Sequence, residues 1–179
     1  MALWEACAAR RLPVFVSQPG PIPPDAVLAF DAPLHWDEPL RSIEGLTVVF
    51  PSLGWPWVDE TLVLLAKHPR AFAHIAGVAR RPFDAYRHLS TALDLGVAGR
   101  LLFASAFPLE SSASAIERLY AVNIVVHGTT LPSIPRRELQ AIVERDAFAL
   151  LGIRDPAAVL AQGEQAALLA AARSLLSDR

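Results

Sequence analysis

Three apolar runs constrain this chain more than any other feature: LPVFVSQPG (12–20), LTVVFPSLG (46–54) and LLFASAFP (101–108). Each is a continuous block of aliphatic and aromatic residues rather than an apolar–polar alternation. Each then breaks at proline or glycine beside a small residue, Ser17, Ser52 or Ala106. Continuous apolar strands are those buried on both faces, and such strands belong to parallel sheets covered by helices. Parallel neighbours cannot be joined by tight turns, so the sequence between them must supply crossovers.

It does. Residues 2–11 predict a short helix, and a Pro-rich connection (18–39) leads to a helical piece over 37–44. Pro56 is expected to open WVDETLVLLAKH, with Trp57, Thr61, Leu62 and Leu65 as its buried stripe, and Pro69 to stop it. AFAHIAG (71–77) is a further strand. Pro82 opens the next helix, in which Phe83, Tyr86, Leu89 and Leu93 share a face before Gly96. After the strand LLFAS (101–105) come a helix over 111–121 and a less regular segment, NIVVHGT (123–129). Pro135 starts RRELQAIVERDAFALL, with Leu139, Ile142, Val143, Ala147 and Leu150 inward and Gly152 as its cap. Asp155–Pro156 opens a last helix over 156–177, striped by Leu168, Leu169, Ala172, Leu175 and Leu176.

Four β-then-α units make half of an eightfold barrel, which needs ~250 residues when complete. The expected fold is therefore α/β: a partial, half TIM-type barrel over 1–153, with about four parallel strands and outer helices. Residues 154–179 would add a helical extension of the same domain. A half barrel would leave two open sheet edges and an inward face exposing Phe15, Val49 and Phe103. The chain is thus expected to associate, as a homo-oligomer or with a hetero-partner that completes the barrel.

Composition narrows the partners. The chain is 53% hydrophobic and 19% charged, with a net charge of −2. That gives no basic footprint for nucleic acid or an anionic membrane surface. No apolar run reaches the ~18 residues of a membrane span, and Glu5, Arg10 and Arg11 interrupt any secretory-signal pattern. The single Cys7 rules out an intrachain disulfide and a zinc-finger cluster, so a reducing cytoplasm is expected. One lysine (Lys67) among 16 basic residues, with abundant Ala, Leu and Pro, reads as a GC-rich bacterial genome.

Candidate chemistry is sparse. Ser17, Ser52 and Ser105 lack a G-x-S-x-G elbow and read as small fillers. His74 falls at the end of the third strand, where it would face a barrel mouth or bond a backbone carbonyl; His127 follows the run IVV. His35, with Asp31 and Asp37 nearby, is a further candidate for that mouth, and a metal site from His35, His74 and His127 is conceivable. His68 and His88 are expected to be solvated, as are the pairs Arg80–Arg81 and Arg136–Arg137. Trp36, Trp55 and Trp57 read as packing. A small-molecule ligand remains compatible with these residues.

GWPWVDETLVLLAKHP (54–69), GRLLFASAFP (99–108) and LPSIPRRELQAIVERDAFALLGI (131–153), in this order, resemble the C-terminal half of the amidohydrolase-related family. The resemblance covers about residues 3 to 153. It implies a distorted (β/α)8 barrel that usually binds one divalent metal, commonly zinc or manganese, for hydrolysis or decarboxylation. It also implies ligands from a His-x-His on the first strand and a His on the fifth, a catalytic His on the sixth and an Asp on the eighth. Carried onto this chain, the fifth-strand His falls on Ser17, the sixth-strand His on Ser52 and the eighth-strand Asp on Ala106. The first-strand motif would lie upstream of Met1. Alanine cannot take a proton from an attacking water, and a neutral serine hydroxyl is a weak zinc ligand beside imidazole. The expected function is a non-catalytic, amidohydrolase-like binding or interaction subunit without a metal. The other reading is a metal-dependent hydrolase or decarboxylase completed by a partner chain that carries the N-terminal half, with zinc or manganese if that activity is retained.

Overall fold

The computed structural model describes residues 2–16, 24–25 and 27–153. Ser17 and the helix expected over 156–177 lie outside them. The chain divides into two compact units, Met1–Arg145 and Asp146–Arg179.

The first unit runs α1 (Ala2–Ala9), β1 (Val14–Phe15), α2 (Asp37–Ser42), β2 (Val48–Phe50), α3 (Val58–Lys67), β3 (Ala71–His74), α4 (Pro82–Asp94), β4 (Leu101–Leu102), α5 (Ser112–Tyr120) and α6 (Arg136–Glu144). The four strands form one parallel sheet in the order β1-β2-β3-β4. A helix crosses over between each consecutive pair, so the predicted partial barrel is present.

Register separates the two faces of this sheet. Paired residues on parallel neighbours share a side, and successive residues alternate sides. Val14, Val48 and Ala71 make one row, and Phe50, Ala73 and Leu101 make another on the same face. That face packs on the helices: all six join a core with Leu62 and Leu65 of α3, Leu89 of α4, Leu119 of α5, and Leu139 and Ile142 of α6. Each fully buried aliphatic side chain here contributes about 1.5–3 kcal/mol of transfer free energy. The opposite face carries Phe15, Val49 and Phe72 in one row, then His74 beside Leu102.

Exposure on that second face corrects one expectation. Phe15, on the edge strand, is 55% exposed, but Val49 is fully buried, and Phe72 and Leu102 are nearly so. Val49 lies between Phe15 and Phe72 in its row, which accounts for its cover. Phe103 has the parity of Leu101 rather than Leu102 and packs against the helix-side core.

Local chemistry sets the helix ends. Pro82 sits in the first turn of α4, and the Ser111 hydroxyl accepts the Ser114 amide at 3.2 Å to cap α5. Pro56 does not open α3: the Trp57 amide donates to the Gly54 carbonyl in a turn, and the helix begins at Val58. Phe83 is 65% exposed, so the buried stripe of α4 runs through Ala85, Tyr86, His88, Leu89 and Ala92 instead. The NIVVHGT segment forms a 3-10 turn over Val122–Val126.

The long helix expected from Pro135 to Leu151 is broken. Arg145 is extended (φ −63°, ψ 129°), and its guanidinium donates to the carbonyls of Ala98 (3.1 Å) and Leu101. Asp146 then caps a new helix of the second unit, α7 (Ala147–Leu151), by accepting the Ala149 amide at 2.9 Å. A side-chain oxygen that satisfies an orphan amide favours a helix start over a helix interior. In α7, Leu151 is buried and Leu150 exposed, and Gly152 closes the helix in the left-handed region.

Candidate binding cleft at the strand ends

The chain leaves β2 and β4 through backbone that side chains rarely adopt. Ser52 (φ 47°) and Leu53 (φ 57°) are left-handed, Gly54 follows at φ 71°, and Ala106 after β4 has φ 67°. Among non-glycine residues such conformations cost roughly 1 kcal/mol or more each, and they gather at functional sites. Burial holds the first turn in place, because Leu53 has no exposed surface and belongs to the core. Gly54 is required on two counts: its φ, and a Cβ there would lie 1.8 Å from Thr61 Oγ1. Thr61 is itself buried and donates to the Trp57 carbonyl at 3.1 Å.

Ser52, His74 and Ala106 line one cleft of about 660 Å³ at the carboxyl ends of the strands. The strand tips therefore converge as the sequence implied, with Ser17 outside the described residues. His74 lines this cleft. Its Nδ1 accepts two backbone amides, those of Ser52 and Ala76, each at 3.3 Å. The proton of the neutral ring consequently sits on Nε2. Burial holds the His74 pKa below its ordinary value of 6.5.

The remaining candidates disperse. His127 is exposed at the end of the 3-10 turn and does not line the cleft. His35 is exposed too, with its Nε2 2.5 Å from the Ala29 carbonyl oxygen. Asp37 binds Lys67 at 2.6 Å and His68 at 2.7 Å, and these two partners lower its carboxyl pKa. His35, His74 and His127 therefore form no common site. Ser105 Oγ accepts the Phe107 amide, which ties it into the turn. Trp36 is packing, 4.8 Å from Trp4.

Sequence reasoning missed His88, Arg80 and Arg81. His88 is buried, lines the cleft and lies 2.6 Å from an Arg87 guanidinium nitrogen. Burial first, then Arg87, lowers its pKa. The signal was present, since position 88 falls on the stripe of Ala85, Leu89 and Ala92. His68 is likewise buried, against Asp37. Arg80 pairs with the buried Glu110 at 3.0 Å, and the Arg81 guanidinium stands 4.3 Å from the Trp55 ring. Both arginines border the cleft rather than open solvent alone, because the turn before α4 runs along its wall.

The described residues do not by themselves assemble a site for a divalent ion. Among the described residues no three His, Cys, Asp or Glu side chains assemble to hold a metal. Of the strand-end positions described, only His74 offers a good ligand, and one of its nitrogens is engaged by amide donors. Among the described residues no helix is long and apolar enough to cross a membrane.

A family profile described as amidohydrolase matches residues 1–153. Among solved structures, an uncharacterized TIM-barrel protein from Bordetella bronchiseptica is 24% identical with a TM-score of 0.61, covering 84% of this chain and 49% of that one. A putative metal-dependent hydrolase from Lactobacillus casei is 22% identical (TM-score 0.57; 81% and 40% covered). A dihydroxybenzoic acid decarboxylase from Polaromonas, solved with bound manganese and the inhibitor 2-nitroresorcinol, is 15% identical (TM-score 0.54; 84% and 53% covered). The chain spans about half the length of these proteins, and at such identities the likeness establishes the fold. No curated protein matches it.

Proposed function

This chain belongs to the amidohydrolase family, and from that premise we propose that it is a non-catalytic member whose strand-end cleft binds a small ligand within a larger assembly. The observation that carries this reading is the content of the cleft. Ser52 and Ala106 line it; by the resemblance, the family's sixth-strand histidine falls on Ser52 and its aspartate on Ala106, which has no group to accept a proton. His74 spends one nitrogen on the Ser52 and Ala76 amides. What remains is a pocket of binding type: apolar walls from Phe15, Val58 and Val78, with Trp55 and Arg81 at its side. The half-exposed Phe15 on the edge strand supports a partner, a second copy or a chain carrying the complementary half of the barrel, that would cover it.

A second reading draws on the left-handed backbone at Ser52, Leu53 and Ala106. Strain kept at site positions favours a hydrolase or decarboxylase whose metal ligands come from the partner chain. Elemental analysis of the purified protein, with thermal-shift screening of small molecules, separates the two. We expect zinc and manganese well below stoichiometric and a saturable ligand-dependent rise in Tm. A tightly held stoichiometric divalent ion, with turnover of an ester, lactone or aromatic acid that a chelator abolishes, would overturn the proposal.

A further inference from the structure

We propose that His74 is a proton-operated latch on the cleft wall: its neutral ring ties the Ser52 turn to the end of β3, and protonation releases it. The two amides that converge on Nδ1 come from different parts of the chain, one two residues on in sequence and one 22 residues back. An unprotonated Nδ1 can accept both. An imidazolium carries N–H at that same atom and can accept neither, so one proton turns two attractions into two donor–donor clashes.

What the latch holds is backbone under strain. Ser52 and Leu53 are consecutive left-handed non-glycine residues, a state that persists only where surroundings over-determine it. Leu53 is anchored by its burial in the core. Ser52 is half-buried, and its amide is tied by His74. Release therefore acts on the Pro51–Ser52 side of the turn, which lines the cleft. The ionisable groups that line the cleft with His74 are Arg80 from the turn before α4, Arg81 at its start, and Asp84 and His88 from α4. Phe15 of β1 and Leu102 of β4 bring none. Burial lowers the His74 pKa against a backbone hydrogen bond that raises it; the latch itself is made by the two amide contacts at Nδ1. The consequence, loss of the cleft's shape and its ligand at acid pH, rests on the binding reading above; the latch itself does not.

An NMR titration of the full 179-residue chain, without ligand, tests it. The Ser52 and Ala76 amide resonances are expected to move with the midpoint of the His74 ring, below 6.5, and not with that of His88. Their hydrogen exchange, corrected for its intrinsic pH dependence, should rise at least about fivefold as the ring protonates, the scale of one lost hydrogen bond. In His74→Phe both amides exchange fast at every pH. His74→Gln, which supplies an acceptor that does not titrate, removes the transition and keeps the fold should the phenylalanine variant fail. Ser52 and Ala76 amides indifferent to the His74 midpoint, or an unchanged transition in His74→Gln, would overturn the proposal. Failure to find a ligand would leave it standing.

Discussion

Replacing Gly54 by alanine tests the account of the turn beneath the cleft most directly. The new Cβ would stand 1.8 Å from Thr61 Oγ1 and 2.9 Å from Thr61 Cβ, at a residue with φ 71°. Left-handed backbone costs alanine about 1 kcal/mol more than glycine. Overpacking against a buried side chain adds about 1–3 kcal/mol, for a total of about 2–4 kcal/mol. With a urea slope of about 2 kcal/mol per molar, the unfolding midpoint should fall by about 1–2 M. The two contributions separate in a double-mutant cycle. Thr61→Ala removes the nearest atom, so Gly54→Ala in that background should cost only about 1–2 kcal/mol, mostly the backbone conformation. An equal cost in both backgrounds would refute the packing argument. A cost below about 0.5 kcal/mol in the wild type would refute the whole account of the turn.

Ala106→Gly should act in the opposite sense. It relieves a left-handed alanine (φ 67°) while loosening the unfolded chain, for a net gain of about 0.5 kcal/mol in chemical denaturation; a loss of stability would mean the Cβ has a role in packing. Glu110→Ala removes a carboxylate, only 6% exposed, that binds Arg80 and Arg118 at 3.0 Å each. Both arginines are near half-exposed and rehydrate, so the expected cost is about 1–2 kcal/mol, read as a lower urea midpoint. His74 and His88 both have lowered pKa values in the fold, so the unfolded chain binds more protons just below its ordinary histidine pKa. Stability should therefore rise with pH up to about 6.5 and level off above it, falling away on acidification. A urea midpoint that is flat or declines between pH 5 and 6.5 would contradict both burials.

Local signals located the elements, and tertiary context moved their ends. Val48–Phe50 and Leu101–Leu102 lie inside the apolar runs that announced them, because burial on both faces leaves an unmistakable composition. The break at Arg145 was invisible in the RRELQAIVERDAFALL pattern. It depends on carbonyls of Ala98 and Leu101, more than 40 residues away, that no local window contains. Phe83 had the right spacing for the α4 stripe, yet His88, a polar residue, took the buried place. Periodicity identifies a face, and which members of it are covered depends on what packs there.

By itself, the order of residues determined a four-stranded parallel sheet with helical crossovers, and an alanine, with no proton-accepting group, just after the fourth strand at position 106. Both are properties of side-chain type and local rhythm, which survive without a partner to complete them. Only the folded arrangement decided that His74 points its free nitrogen's lone pair at the Ser52 and Ala76 amides. The same holds for His88 being buried at the cleft and for Arg81 standing over Trp55. Apart from the local Ala76 contact, these are meetings between segments distant in the chain, made by the way the strands stack side by side, and no stretch of sequence carries the distance between them.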